Sequence, residues 1–530
     1  MYTTARLLVS RLAELGVSHI FGYPGGQITP IYDALYRQTA IRHVLARDEQ
    51  AACFMADGYA RATGRTGVCL AVCGPGVLNA ATPLATAFTD SIPLLLITGQ
   101  IPTKGVGLRS GYYHENEQTS ACSTLTKARY RITSAEQALS MVDQAFGQTY
   151  FGRPGPTLLE IPLDVLRTEL SPSTVTLFQS QPKQRSMAEH DDQRMADLVA
   201  TWSRPVILAG GGVLSAHATE SLRLLAKRLN APVFHTLNGK SVFPADHPLH
   251  AGLPWSRATS DLVGMESYFS PLLNQADGML AVGCRFTQAT SGNWTMKPPA
   301  SLLHIDIDPA EFGRHYPPAL TVRADARVAL EGLLAKLPAE ARVPWATSST
   351  RSDVWRLPGF DLIGPMRRLL PRDAIVAADI TRLAYQMLAQ FPVFLPRTFL
   401  HPSGFVSMGY AVPAALGAKA AFPDRVVVAV VGDGGFLMSG MELASAVQEK
   451  LPIVVIVIND NCLSLIRSSQ ERHYGGRHIG VDLQNPDFCA FAAAFGVKSW
   501  RVHNDTEFAS ALEEAINRTE PGLIEVALAG

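Results

Sequence analysis

Two aspartates set 27 residues apart, Asp433 and Asp460, have the chemistry to hold a hard divalent cation. Asp433 lies in Gly432-Asp433-Gly434-Gly435, after the apolar run 426–431. Asp460 lies in Asn459-Asp460-Asn461, after the apolar run 453–458. Both runs are short and rich in β-branched residues, which predicts buried parallel strands. A helical pattern over 440–450 separates them. The unit therefore reads as β–turn–α–β, with both carboxylates at the carboxyl edge of a sheet, where open α/β folds bind ligands. Glycines beside Asp433 let backbone N–H groups approach an anion. A backbone carbonyl near Cys462 is a third candidate ligand. Mg²⁺ held by a few protein oxygens plus phosphate oxygens is a common arrangement, so the expected occupant is a metal-bridged diphosphate. A Gly-Asp-Gly segment alone could be only a turn; the Asn-Asp-Asn at this spacing favours the metal.

Residues 1–170 alternate helical and strand patterns, which predicts another parallel sheet. Thr3-Thr4 can cap a first helix running to about Gly16. Three predicted strand ends carry glycine or unusual polar residues. The first, 22–27, holds Gly25, Gly26 and Gln27; it could equally be a plain turn. The second, 47–50, holds Glu49 at the start of an Ala-rich helix reaching about Thr63. Glu49 could be chemical, or an acid that the helix dipole favours in a first turn. The third, 73–79, holds Gly74 and then Asn79, in the first turn of a helix expected near Val77.

The chain has 530 residues, so two to four domains are expected. Hydrophobic residues make up 47% and charged ones 17%, which excludes a disordered chain. Lys+Arg and Asp+Glu both number 46, so no basic stripe argues for nucleic acid. Apolar runs fall short of a membrane span. No leader pattern opens the chain, and the seven cysteines include no CxxC, so free thiols and a cytoplasmic location are expected. Polar, Pro-containing stretches at about 170–188 and 337–357 read as linkers. Between them, 206–212 is a strand running into a glycine turn.

Several segments resemble the acetolactate synthase family of thiamine diphosphate (ThDP) enzymes. They are GYPGG, RDEQAACFMADGYARATGR, CGPGVLNAATPLATAFTDSIPLLLITGQIP, GRPGPTLLEIPLDV, HPSGFVSMG and the GDG…NDN unit. The resemblance implies an α/β, three-domain fold, each domain a mostly parallel sheet flanked by helices. These would be a pyrimidine-binding domain over 1–170, a central Rossmann-like domain over 188–337 and a diphosphate-binding domain over 357–530. It implies ThDP and Mg²⁺, with Asp433, Asp460 and the Cys462 carbonyl on the metal. Gly25, Gly26, Gly74, Asn79, Gly432, Gly434 and Gly435 would line the cofactor. Glu49 would hydrogen-bond N1′ of the aminopyrimidine, the Val406 carbonyl and the Met408 N–H would contact the same ring, and the Met408 side chain would wedge the two cofactor rings into a bent shape. It also implies a homodimer or homotetramer, each site joining Glu49 of one subunit to Asp433 and Asp460 of another. The substrate would be a small pyruvate-like 2-oxo acid, decarboxylated and joined to an acceptor.

The chain also departs from the biosynthetic members. Thr381 or Arg382 stands where a Gly-Gln-His segment would touch the diphosphate. His114, in Tyr112-Tyr113-His114-Glu115, replaces a Gln of the carboligation site; it could relay protons or be structural. Ser469 replaces a Trp that favours 2-oxobutyrate, and Gln27 replaces a small residue beside the cofactor. Arg285 could approach the substrate carboxylate or form a surface ion pair. The Arg285–Ala289 segment lacks the RFDDR pattern, which disfavours FAD. These departures keep an alternative open: a 2-oxo acid decarboxylase or other C–C lyase that makes no acetolactate.

Overall fold

A computed structural model describes residues 2–170, 186–256, 268–346 and 360–528. The expected linkers fall largely on 171–185 and 347–359, outside the described residues. The chain builds three six-stranded sheets, each parallel throughout. The first holds β1 (His19–Gly22), β2 (Arg42–Leu45), β3 (Gly67–Ala71), β4 (Leu94–Gln100), β5 (Ala128–Arg131) and β6 (Pro156–Pro162), in the order β2-β1-β3-β4-β6-β5. The second holds β7 (Pro205–Ala209), β8 (Val233–His235), β9 (His250–Gly252), β10 (Gly278–Val282), β11 (Ser301–Asp306) and β12 (Leu320–Arg323), in the order β9-β8-β7-β10-β11-β12. That is the strand order of dinucleotide-binding sheets. The third holds β13 (Ile375–Ala378), β14 (Phe399–Leu400), β15 (Val427–Gly432), β16 (Val454–Asn459), β17 (Lys498–Val502) and β18 (Gly522–Ala527). Its order, β14-β13-β15-β16-β18-β17, repeats that of the first sheet.

Seven helices position the site. Thr3 caps the first helix, α1 (Thr4–Glu14), as its sequence predicts. The others are α2 (Glu49–Thr63), α3 (Pro75–Asn79), α4 (Ala81–Asp90), α5 (Arg382–Gln390), α6 (Ala411–Ala421) and α7 (Asp433–Ser439). Two starts differ from expectation. The helix after β15 begins at Asp433 itself, not near residue 440, because the dipole of its first turn accepts the carboxylate. It gives way to a 3₁₀ turn at Gly440–Glu442 and a further helix, Leu443–Gln448. The helix expected near Val77 begins at Pro75, whose fixed φ suits N1, and Asn79 is its last residue rather than in its first turn.

The first and third sheets share one core through α2 and α6. Phe54 of α2 meets Tyr410 edge-on at 5.4 Å. The two backbones approach so closely that only glycine fits at the crossing. A Cβ at Gly58 would lie 2.5 Å from Ala414 Cα, and one at Gly417 would lie 2.7 Å from the Met55 carbonyl carbon. The same pair of domains is stitched at a second point. Glu449 accepts the Leu45 N–H at 3.2 Å, and buried Glu442 accepts the Arg47 N–H at 2.9 Å. Together these fix where α2 starts.

Candidate active site

Glu49 is the first residue of α2 and is buried. The capping task falls to its neighbour: Asp48 is the N-cap and accepts the Gln50 N–H at 3.3 Å. That leaves Glu49 free of a helix-end role. Asn79, at the end of α3, donates to Glu49 Oε2 at 3.0 Å. Glu49 Oε1 faces Gly76, where a Cβ would lie 2.9 Å away, so a bare α-carbon keeps that oxygen open. Gly74 stands at φ 69°, a conformation glycine adopts without strain, and starts this turn.

Gln118 holds the turn in place and had no signal in the sequence. It is fully buried, accepts the Gly74 N–H at 2.9 Å, and donates to Gly99 O at 3.0 Å and Glu160 Oε2 at 3.1 Å. His114, exposed and at φ 65°, lies against Gly74: a Cβ there would be 3.2 Å from the His114 Cβ. Gln27 borders the next strand end, its carbonyl 2.8 Å from where a Gly99 Cβ would lie, and its own side-chain oxygen is buried without a partner among the described residues. Gly25 packs on Val72, while Gly26 faces open space. Five expected residues (Gln27, Glu49, Gly74, Asn79 and His114) thus gather at the carboxyl edge of the first sheet.

The second group forms at the same edge of the third sheet. Asp433 Oδ1 accepts the Gly434 N–H at 2.8 Å, and burial raises its carboxyl above the ordinary range. Asn485 Nδ2 donates to Asp433 Oδ2 at 2.7 Å and also lies 3.0 Å from Asn459 Oδ1 and 3.2 Å from Asn461 Oδ1. Asn459 Oδ1 also accepts the Asn461 N–H at 3.3 Å, while Asn485 Oδ1 is buried without a partner among the described residues. A surplus of oxygen acceptors around Asp433 fits a hard cation. Ser464 donates to Asp460, and Leu463, the last residue of that loop before the helix Ser464–Tyr474, packs over Gly434. Cys462 is half-buried and pairs in a β-bridge with Asp482.

The turn carrying Val406 and Met408 packs onto this group. A Cβ at Gly434 would lie 3.6 Å from Met408 Cε, and one at Gly409 would lie 3.0 Å from Met438 Cβ. Asp379, fully buried at the end of β13, organises the turn: it accepts the N–H groups of Ile380 (2.8 Å), Gly409 (3.2 Å) and Ala411 (2.9 Å). A Gly435 Cβ would meet it at 3.0 Å. Its place at a strand end was the available signal. Thr381 packs against Gly432, but its hydroxyl caps α5 through the Ala384 N–H at 3.0 Å. Arg382 donates to Ser464 O at 2.7 Å and to Ser468.

Arg285, Val406 and Ser469 border one cavity of about 1410 Å³ that reaches the carboxyl edge of the second sheet, where Gly211 and Asp306 line it. Arg285 donates to the Thr89 carbonyl at 2.6 Å and makes no ion pair among the described residues. Asp306 is pushed up to about 7 by burial.

The family comparisons cover the three sheets in turn. Residues 2–123 match the thiamine pyrophosphate enzyme N-terminal TPP binding domain, 193–333 the central domain, and 379–526 the C-terminal TPP binding domain. A probable acetolactate synthase large subunit of Methanocaldococcus jannaschii is 35% identical, over 99% of this chain and 91% of the relative. The acetolactate synthase large subunit of Corynebacterium glutamicum is 36% identical, over 97% and 84%. A probable 2-ketoarginine decarboxylase of Pseudomonas aeruginosa is also 36% identical, over 99% and 94%. With two TPP binding domain matches flanking a central-domain match along the sequence, the chain belongs to the thiamine diphosphate-dependent enzymes of the acetolactate synthase and decarboxylase family.

Proposed function

We propose that the chain decarboxylates a pyruvate-like 2-oxo acid and joins the resulting two-carbon unit to an acceptor, as an acetolactate synthase does, using ThDP and Mg²⁺. Bound ThDP supplies the carbon nucleophile and the electron sink that let CO₂ leave. The observation that carries the reading is Glu49, buried at a helix start, with Asn79 on one oxygen and the other left open over Gly76. The open oxygen would hold and return a proton at N1′ of the pyrimidine ring. Asp433 and Asp460, with the Cys462 carbonyl, would hold Mg²⁺, and the Gly435 N–H, beside Gly432 and Gly434, would face the diphosphate. The Val406 carbonyl and Met408 N–H would receive the aminopyrimidine. His114 and Gln27 border the Glu49 group and are assigned to the acceptor. Arg285 and Ser469 are assigned to substrate through the cavity they share with Val406.

The hydrogen bonds of Glu49 and Asn79 stay at the first sheet, and those of Asp433 stay at the third. That separation supports a homodimer or larger oligomer in which two subunits complete each site, with domains over 1–170, 188–337 and 357–530. A second reading is a 2-oxo acid decarboxylase without carboligation. The 2-ketoarginine decarboxylase relative, as similar as the synthases, favours keeping it. No helix among the described residues is long and apolar enough to cross a membrane.

The test is ¹³C NMR of the purified protein with ThDP, Mg²⁺ and labelled pyruvate, with and without FAD. Acetolactate supports carboligation. Acetaldehyde alone supports the second reading, and no turnover removes pyruvate as the donor. Dependence on FAD would place it in the central cavity, against the expectation from the Arg285–Ala289 segment.

A further inference from the structure

Val406 stands at φ 56°. A branched side chain rarely enters that left-handed region, and it stays there only where its surroundings over-determine it. The contacts that do so come from the end of α4. Ser403 donates its N–H to Asp90 Oδ2 at 2.9 Å. Gly404 is pressed so close that a Cβ would lie 2.7 Å from Asp90 Oδ1. On the far side of Val406, Ser407 Oγ pairs with Thr86 Oγ1 at 2.9 Å, both side chains buried. Asp90 is itself held from two directions: by Arg61 of α2 at 2.9 Å and by Asn238 of the central domain at 3.0 Å. Arg285 fixes the carbonyl of the adjacent Thr89. Val406 is thus bracketed, at Ser403 and Ser407, by one helix that belongs to a different sheet.

We propose that α4, through Asp90 and Thr86, is a clamp that holds Val406 in its left-handed conformation and so presents the Val406 carbonyl and Met408 N–H to the cofactor. The proposal rests on the cofactor reading above. Asp90 and Thr86 are positioning residues, since both act through the 403–408 turn. A role confined to joining domains would weaken the fold without caring what occupies position 406.

That distinction is the test. Thr86→Val and Asp90→Asn are each made with and without Val406→Gly, in the full chain. ThDP affinity is measured by titration calorimetry with Mg²⁺, alongside thermal melting. Glycine takes a positive φ freely and keeps the backbone carbonyl. Thr86→Val removes the bond to Ser407 and also one to the Thr82 carbonyl inside α4; loss of the Ser407 bond predicts a ThDP Kd raised about tenfold, and Asp90→Asn should raise it by at least as much. In the Val406→Gly background the same changes are expected to alter the Kd by less than about threefold. Weak binding that is the same with Val or Gly at position 406 overturns the clamp. So does wild-type affinity in both single variants. Should Asp90→Asn fail to fold, the near-isosteric Thr86→Val pair decides. Wild-type protein that binds no ThDP overturns the cofactor reading, and the clamp with it; a failed clamp shows only as lost coupling in protein that binds.

Discussion

Replacing Gly417 with alanine perturbs the contact on which the first and third sheets depend. The added Cβ would lie 2.7 Å from the Met55 carbonyl carbon and 3.0 Å from Met55 Cα. Carbon atoms pack at about 3.5–4.0 Å, so the helices must part by roughly 1 Å. Both walls are backbone, and no rotamer change relieves the overlap. Neighbours along the contact, including Ala52, Phe54, Tyr410 and Ala414, would lose packing with it. Overpacking costs about 1–3 kcal/mol and at times more, while the better helix propensity of alanine returns at most about 1 kcal/mol. With two rigid walls the clash should win by about 2 kcal/mol or more, lowering the melting temperature by roughly 2–3 °C for a core shared by two domains. Scanning calorimetry measures this against a matched control, Gly332→Ala. There the new Cβ crowds the far end of a flexible side chain, Met187 Cε at 2.8 Å, with Asp192 Cβ at an ordinary 3.5 Å, so melting should hold or rise. A Gly417→Ala protein that melts with the wild type would refute the reasoning that this crossing is closed to any side chain.

Glu49→Gln keeps the size of the side chain but cannot exchange a proton; kcat should fall about a hundredfold or more while melting is unchanged, and an unaltered kcat would remove Glu49 from proton transfer. Asn485→Ala takes the amide from between Asp433, Asn459 and Asn461. Titration of Mg²⁺ into protein and ThDP, read by cofactor binding, should show an affinity about tenfold weaker, and unchanged affinity would confine Asn485 to loop structure. Asp306 is buried opposite Asp308, Glu311 and Arg153, with its carboxyl raised from 3.8 to about 7. The folded state therefore binds a proton that the unfolded state has released, and this contribution to stability is lost as pH rises from about 4 to 7. Asp306→Asn should gain on the wild type between pH 5 and pH 8, by up to roughly 3 kcal/mol at about 1.36 kcal/mol per pH decade over the two decades below the raised value of about 7. A melting difference independent of pH would contradict it.

The strand ends were legible because short β-branched runs stop at glycine or acid residues, as 426–431 does before Gly432. Glu49 was legible too, although only the structure divides the labour between it and the capping Asp48. Helix starts were read late at Asp433 and Pro75, since glycine and proline resemble a turn until the carboxylate and the fixed φ are seen inside a first helical turn. Strand order is set by contacts distant in sequence, so neither the repeated order of the outer sheets nor the dinucleotide-type order of the central one could be read locally. Gln118, Asn485 and Asp90 act through hydrogen bonds to backbone or side chains far along the chain. In sequence they look like ordinary polar residues. Asp379 differs, because it directly follows a short apolar run, 374–378, as Asp433 follows 426–431 closely.

Mixing two inactive variants tests most directly the claim that Glu49 and Asp433 complete each site from different subunits. Glu49→Gln and Asp433→Asn proteins are dissociated together, reassociated with ThDP and Mg²⁺, and assayed. If sites are shared, each mixed dimer has one site with both residues intact. Random pairing then restores about a quarter of wild-type activity, given a symmetric dimer. If each chain builds its own site, every site in the mixture lacks one of the two residues. The mixture would then be as inactive as its parents, and the account of a site shared between subunits would fall.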